Sequence, residues 1–200
     1  MKVELEDVLF WMDAIRNSNN RYRTLESFWK GQIRSKAWLA ETLYICNQID
    51  NPRIIIHGGW NGVLASILFN SDINPGHITS VDIDPTCRDI ASTVNKRQEI
   101  EGRFESVTCD MTEYEYTGQF DIVINTSVEH ITPTEYSRWL DRVPRDVLIA
   151  IQSNNYFDLA EHVNCSDSLT EFKTESHLAA TFSGIFNTEK YDRYMIIGKK

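Results

Sequence analysis

The sequence has no long apolar run, no large basic cluster and no paired cysteines. No uninterrupted apolar stretch approaches the ~18 residues that a membrane-spanning helix needs. The opening residues, MKVELEDVLFW, are acidic where a secretion signal is basic. These absences predict a cytoplasmic protein without a membrane partner.

The cysteines are few and widely scattered. No C-x-x-C pair and no histidine at metal-site spacing accompanies them. The sequence therefore predicts reduced thiols, with neither a disulfide nor a metal centre. The cysteines are Cys46, Cys87, Cys109 and Cys165.

The charge balance is acidic, with 20 Lys and Arg against 29 Asp and Glu and a formal net charge of −9. This argues against an extended nucleic-acid surface, which needs many cations for phosphates. One N-terminal stretch is locally cationic, and a solvated helix face explains it better than contact with an anionic substrate or a single strand. Its basic residues are Arg16, Arg21, Arg23, Lys30, Arg34 and Lys36.

The order of apolar patterns predicts an α/β fold in one domain. Residues 1–50 form a helical extension of the same domain as residues 51–200, with helices over 3–17 and 25–48 and an interruption near Gly31. Alternating strands and helices then build a doubly wound, mostly parallel sheet. Residues 170–185 are ambiguous. Strands are expected near 53–57, 78–82, 103–108, 120–125, 146–151 and 191–197, the last in a hairpin, and helices near 62–70, 86–101 and 133–142.

A glycine turn follows the first strand, in the segment IIIHGGWNG at residues 54–62. Three consecutive isoleucines are typical of a parallel strand that is buried on both faces. Gly58, Gly59 and Gly62 allow positive φ and close approach of a ligand to the backbone. The segment therefore predicts a cradle for a nucleoside-bearing cofactor.

Acidic residues follow the second and third strands. Asp82 stands twenty positions after Gly62, where a carboxylate accepts both ribose hydroxyls. Asp84 is the alternative ribose ligand, or the N-cap of the next helix. Asp110 is expected to accept from an adenine amine between the apolar Ile83 and Met111, or else to cap a local turn.

Polar clusters follow the fourth and fifth strands, at the sheet edge where open α/β folds bind ligands. His130 is the candidate general base because its ordinary pKa near 6.5 suits proton uptake, and Glu129 is expected to orient it. The alternative is a packing or capping histidine. The candidate acceptor contacts are Gln152, Asn154, Asn155 and Tyr156.

Large aromatic residues recur at helical spacing in the N-terminal extension. Packing against the sheet explains them best, and a roof over the acceptor is the alternative. Trp29 is the aromatic residue that we assign to the acceptor site. The others are Trp11, Phe28 and Trp38.

Together, the glycine turn, SVDID, CDM and FDIVINTSVEHI resemble the class I S-adenosylmethionine-dependent methyltransferases, over residues 53 to about 198. The resemblance implies a seven-stranded sheet with an antiparallel last strand. It also implies S-adenosylmethionine as cofactor, S-adenosylhomocysteine as product, and a methyl acceptor that is a small molecule or an exposed polar group with a reactive oxygen or nitrogen. The cofactor contacts so implied are His57, Gly58, Gly59, Trp60, Asn61, Gly62, Asp82, Ile83, Asp110, Met111 and Asn125.

Two positions depart from the family pattern, since Ile56 replaces an acidic residue and Trp60 replaces a glycine. They favour an alternative function, a non-catalytic binding or interaction module with this fold. A nicotinamide-dependent oxidoreductase is a weaker alternative because the glycines lack G-x-G-x-x-G spacing.

A fainter resemblance concerns the segments ESFWKGQIRSKAWL, GGWNG and QSNNYF. These segments are similar to uncharacterised methyltransferase-like proteins of tailed bacteriophages, which would place the chain in the host cytoplasm. The sequence leaves a homodimer open and does not identify the acceptor.

Overall fold

The computed structural model of the chain describes residues 2–200. Over that range the strands form one seven-stranded sheet. They are β1 (Arg53–His57), β2 (His77–Asp82), β3 (Phe104–Thr108), β4 (Ile122–Asn125), β5 (Leu148–Asn154), β6 (Ala179–Asn187) and β7 (Asp192–Lys199). The helices are α1 (Leu5–Asn17), α2 (Arg21–Glu26), α3 (Lys30–Cys46), α4 (Val63–Phe69), α5 (Pro85–Val94), α6 (Lys96–Ile100), α7 (Pro133–Arg142) and α8 (Leu169–Glu175).

The strand order is β3-β2-β1-β4-β5-β7-β6. Neighbours from β3 to β5 are parallel, whereas β7 runs antiparallel to both β5 and β6. The predicted seven-stranded, mostly parallel sheet with an antiparallel last strand is therefore confirmed. Since β1 and β4 are adjacent, the strand order reverses there, and that reversal opens a crevice at the carboxyl ends of the strands.

The expected helix over residues 25–48 is two helices, and the break lies before Gly31 rather than at it. Asn20 caps α2 by accepting the N–H of Arg23, and the Ser27 hydroxyl turns back to the Thr24 carbonyl at 2.6 Å. The Ser27 bond closes the last turn of α2, so the helix ends at Glu26. The helix expected over 86–101 likewise divides, into α5 and α6.

The sheet is covered on both faces, as the uninterrupted isoleucines of β1 predict. Ile54 and Ile56 point into a core shared with α3 and α4, and Ile55 points into the opposite core, under α7 and α8. This alternation decides which strand-end side chains lie on which face.

The first helix is anchored to the rest of the domain by a buried ion pair. Asp7 is only 1% exposed, and it accepts from Nε of Arg97 at 3.0 Å and from Nη2 at 2.7 Å. Asn70 donates to the same carboxylate at 3.1 Å. The contacts hold the extension beside α4 and α6.

Among residues 2–200, no helix combines the length and the apolar character needed to cross a membrane.

Candidate functional site

A cleft of about 920 Å³ lies at the carboxyl ends of β1 to β5, within the size range of small-molecule sites. The turn after β1 and the loops after β2, β3 and β4 form one side, and residues of α2 and α3 face them. The N-terminal extension thus contributes directly to the cleft.

The glycine turn brings its backbone close to the second strand. A Cβ atom at Gly59 would lie 2.0 Å from Oγ of Ser80, so only glycine fits. Gly58 and Gly62 have φ of 65° and 73°. Trp60, one of the two residues that depart from the methyltransferase pattern, also takes a left-handed conformation, with φ of 46°.

The carboxylate of Asp82 is held by two backbone N–H groups, one from the turn after β1 and one from the loop after β2. Its Oδ2 accepts the N–H of Trp60 at 2.7 Å, and Oδ1 accepts the N–H of Asp84 at 3.0 Å. Asp82 is half-buried and lines the cleft. Asp84 caps α5 through the N–H of Thr86 and pairs with Arg23 at 2.7 Å.

Asp110 and its apolar neighbours lie on the same side of the cleft. Oδ1 of Asp110 accepts the N–H of Thr112 at 2.8 Å and its hydroxyl at 2.9 Å, so the residue does cap a local turn. Asp110 also lines the cleft, together with Ile83 and Met111. Capping and ligand binding are compatible because a carboxylate has several acceptor positions.

Asn61 is a buried polar residue whose side chain has no hydrogen-bond partner among residues 2–200. Its side chain is 1% exposed and lines the cleft, and neither amide atom hydrogen-bonds to any described residue. Leaving such groups unpaired costs about 1–3 kcal/mol. A polar ligand group in the cleft would satisfy them.

Three of the expected cofactor contacts do not line the cleft. His57 and Asn125 project on the face of Ile55, where His57 Nε2 lies 2.8 Å from the Tyr116 hydroxyl. Asn125 binds the N–H of Ser127 and donates to the Met111 sulfur. Burial lowers the pKa of His57 to about 3, so this histidine is neutral.

Gly62, the third of these residues, has a packing role. A Cβ there would lie 2.6 Å from Nδ2 of Asn95 and 2.9 Å from Cβ of Ala91. Asn95 in turn donates to the Gly62 carbonyl at 3.0 Å. The glycine therefore lets α5 pack closely against the turn.

A buried ion pair occupies the other end of the cleft. Glu129 is 3% exposed, and its Oε1 accepts from the guanidinium of Arg193 and from Nδ2 of Asn154 at 2.9 Å. Arg193 also donates to the Thr126 carbonyl. The second oxygen of Glu129, Oε2, is buried and has no partner among residues 2–200.

Lys36 of α3 lies beside this pair and lines the cleft. Burial lowers its pKa to about 7, and the charge of Arg193 lowers it further than the opposite charge of Glu129 raises it. Nζ donates to Oε1 of Gln32 at 2.5 Å. The interpretation of this basic stretch as a solvated face is wrong for Lys36, because α3 packs against the sheet and buries this side chain at the cleft.

Two histidines face each other at the same end. The rings of His130 and His162 are 4.8 Å apart between centroids, and His162 Nδ1 lies 2.6 Å from the carbonyl oxygen of Tyr156. His130 is exposed. Glu129 makes no hydrogen bond to His130 in the described structure, so the expected orienting contact is absent there.

The expected acceptor residues divide in the structure. Asn154 and Tyr156 line the cleft. Gln152 points into the α3 face and accepts from Ser35 at 3.2 Å, while Asn155 accepts the N–H of Asp192 at 2.8 Å. Trp29 is 71% exposed and does not line the cleft. It therefore neither packs in the core nor covers the acceptor site, which were the two expectations.

Arg23, Lys36 and Arg193 line the cleft. The sequence interpretation favoured a solvated face for Arg23 and Lys36 over contact with a ligand, and it gave Arg193 no role. Arg193 carried a signal, because it stands inside the apolar strand YDRYMII. A charge in a central strand needs a buried partner. The partner, Glu129, comes from a distant segment that sequence alone does not pair with it.

No protein-family model matches the chain, and no curated protein sequence matches it. Solved structures do. Magnesium protoporphyrin IX methyltransferase (ChlM) from Synechocystis PCC 6803, with bound S-adenosylmethionine, shares 12% identity over 100% of both chains, with a TM-score of 0.66. N-methyltransferase NodS from Bradyrhizobium japonicum WM9, with S-adenosylhomocysteine, shares 9% identity over 98% of both chains, with a TM-score of 0.67.

The mitomycin 7-O-methyltransferase MmcR is similar over 95% of this chain and 60% of its own, at 14% identity and a TM-score of 0.66. At such identities the likeness is one of fold, and the acceptors named are those of the other proteins. These neighbours lend no support to the bacteriophage resemblance. The chain has the α/β fold of S-adenosylmethionine-dependent methyltransferases.

Proposed function

We propose that this chain is an S-adenosylmethionine-dependent methyltransferase that acts on an oxygen or nitrogen atom of a polar acceptor. One observation carries the proposal: Asp82, Asp110 and the unpaired amide of Asn61 line one cleft with the glycine turn. A ribose, an adenine and an amino-acid end need these three kinds of partner.

Residues along the cleft have the polar groups that each part of the cofactor would need. The Asp82 carboxylate accepts the ribose hydroxyls, and Asp110 accepts from the adenine amine with Ile83 and Met111 beside the ring. Asn61 binds the methionyl end. Asp82 is pre-positioned by its bonds to two backbone N–H groups, which limits the entropy lost on binding.

The acceptor occupies the end of the cleft near Glu129. When bound, the cofactor would supply a methyl group from its sulfonium, and the sulfur would become a neutral thioether. His130 accepts the proton released by the acceptor, and Asn154 and Tyr156 orient the acceptor by hydrogen bonds. Glu129 positions Asn154 through its 2.9 Å bond.

A non-catalytic module is the second candidate, and Trp60 is the observation that favours it. Its indole lines the cleft at a position where the family carries glycine. The oxidoreductase alternative rests only on the ribose carboxylate, because the glycine spacing differs.

Calorimetric titration of the purified chain separates the three functions. We expect S-adenosylmethionine and S-adenosylhomocysteine to bind and NADH to give no heat. Heat with NADH alone would establish the oxidoreductase alternative. The absence of heat with all three ligands, in a protein whose circular dichroism is folded, would leave the non-catalytic module.

A further inference from the structure

We propose that Glu129, His130 and His162 bind a divalent metal ion of the zinc class within the cleft. Their candidate ligand atoms all lie within 4.8 Å of one another. The sequence predicted no metal site, because His162 comes from the loop after β5 and shares no motif spacing with the Glu129-His130 pair.

The distances suit one small ion after a modest contraction. Two ligands of a tetrahedral Zn²⁺ at bond lengths of about 2.0–2.1 Å are about 3.3 Å apart. Ligand atoms that lie up to 4.8 Å apart must therefore approach one another by up to about 1.5 Å. His130 is exposed and lies on a single 3-10 turn, so its ring has the freedom to make this movement.

His162 is oriented as a metal-bound histidine is. Because the carbonyl oxygen of Tyr156 can only accept, Nδ1 of His162 carries the proton in their 2.6 Å contact. Nε2 then holds the free lone pair. A bond from the second ring nitrogen to a backbone carbonyl is the arrangement that fixes the tautomer of metal-ligating histidines.

Glu129 offers an oxygen, Oε2, to which no group of residues 2–200 hydrogen-bonds. Oε1 is occupied by Asn154 and Arg193, whereas Oε2 is buried and unpartnered within residues 2–200. A buried unpaired carboxylate oxygen is costly, and a cation would satisfy it. The bonds at Oε1 at the same time hold the carboxylate in one orientation.

The donor set selects the class of metal. Two imidazoles and one carboxylate suit zinc and other divalent transition metals, while Mg²⁺ and Ca²⁺ prefer oxygen ligands. Cys165 lies near His162, but its thiol is directed at two oxygens, Oδ1 of Asn154 at 3.3 Å and the carbonyl oxygen of Tyr156 at 3.4 Å. Three protein ligands leave a coordination position open toward the cleft.

A bound metal changes the role of His130, and this consequence rests on the proposed function. A histidine that ligates a metal cannot also accept the acceptor's proton. With the metal in place, an acceptor hydroxyl on the open position would lose its proton to solvent water more readily, since Zn²⁺ lowers the pKa of bound water to about 7.

The experiment measures metal binding without any cofactor, so its outcome is independent of methyl transfer. Chelator-treated protein is titrated with Co²⁺ in the visible range and with Zn²⁺ by calorimetry, at neutral pH. We expect one ion per chain, a Co²⁺ absorption band typical of low coordination number, and no heat with Mg²⁺.

Variants of the two histidines test whether these side chains bind the metal. His130→Gln and His162→Gln should each weaken Zn²⁺ binding at least about tenfold, and the double variant should abolish the Co²⁺ band. His177→Asn is the matched control, because this exposed histidine lies after α8 and asparagine tolerates its φ of 53°. Absence of binding in the folded wild type, or equal binding in the double variant, would overturn the proposal.

Discussion

The backbone N–H of Trp60 donates to Oδ2 of Asp82 across 2.7 Å, and this bond joins the turn after β1 to the end of β2. Trp60 adopts a left-handed conformation, with φ of 46°, and the bond helps to hold it there. The ribose acceptor of the proposed site is thereby fixed before any ligand arrives.

Asp82→Ala should weaken S-adenosylhomocysteine binding by about 10–100-fold, because hydrogen bonds to a charged group contribute about 1.5–3 kcal/mol. Asp82→Asn keeps the shape and should lose less. His130→Ala should leave the affinity unchanged. Calorimetry gives the three values, and an equal loss for Asp82→Ala and His130→Ala would contradict the assigned roles.

The nature of the Asp82 contact can be tested with a modified ligand. The 2′-deoxyribosyl analogue of S-adenosylhomocysteine should bind the wild type more weakly than the parent ligand. The two ligands should bind Asp82→Ala with similar affinity, because the partner of the hydroxyl is gone. A full ligand difference in the variant would show that Asp82 acts only on the turn.

Trp60→Gly should be more stable than Trp60→Ala by about 1 kcal/mol, since alanine retains the strain of a positive φ and glycine does not. Both variants lose the indole to the same extent, so their difference isolates the backbone. Chemical unfolding followed by circular dichroism measures it. Equal stabilities would mean that the turn relaxes once the indole is removed.

The sequence predicted the features that depend on local patterns, and it failed where the outcome depends on how distant segments pack. The three isoleucines of β1, the Asp84 cap and the alternation of strands and helices are local patterns, and the structure confirms the sheet that they predict. His57 and Asn125 were expected in the cleft and lie outside it. Neighbours in a strand point to opposite faces, so identifying the strand end does not decide which face a side chain occupies.

Lys36→Met should raise the free energy of unfolding by about 1–4 kcal/mol, because it removes a buried cation next to Arg193. The folded pKa of about 7 lies below the unfolded value near 10.5, so the protonated lysine destabilises the fold most at pH 7 and below. The advantage of the variant should shrink by about 2 kcal/mol between pH 7 and pH 9.

The control for that variant is Lys30→Met. Lys30 is exposed and pairs with the exposed Glu189, so its replacement should change stability by less than about 0.5 kcal/mol. Urea unfolding at the two pH values provides the comparison. A loss of stability in Lys36→Met would mean that the lysine contributes net attraction to the Glu129–Arg193 pair.

His57 should make the fold sensitive to mild acid. Its folded pKa of about 3 lies below the ordinary value of 6.5, because the buried ring resists protonation. The free energy of unfolding is therefore unaffected by titration of this residue above pH 6.5, and it decreases as the pH falls toward 3. Between pH 7 and pH 5 the loss from this residue is about 2 kcal/mol. Urea unfolding at both pH values should show it.

The matched variant is the double replacement His57→Phe and Tyr116→Phe, which removes both partners of the 2.8 Å contact and keeps two rings in place. Its loss of stability from pH 7 to pH 5 should be smaller than that of the wild type by about 2 kcal/mol. The same pH dependence in both proteins would assign the acid sensitivity to other groups.

The ion pair in the cleft and the lysine beside it depend on contacts between distant segments, which the sequence does not reveal. Glu129 and Arg193 meet only because β7 inserts beside β5, and Lys36 reaches them only because α3 packs on that face. No segment by itself indicates this pairing, although Arg193 stands out as a charge inside an apolar strand. The polar end of the cleft therefore emerges from tertiary packing, whereas the glycine turn and Asp82 are visible in the sequence.

A crystal structure of the complex with S-adenosylhomocysteine would test the claim that the cleft holds S-adenosylmethionine across the glycine turn. We expect the ribose hydroxyls within hydrogen-bonding distance of Asp82, the adenine beside Asp110, and the methionyl end at Asn61. A nucleoside bound elsewhere, or crystals without the nucleoside at saturating ligand, would contradict the claim.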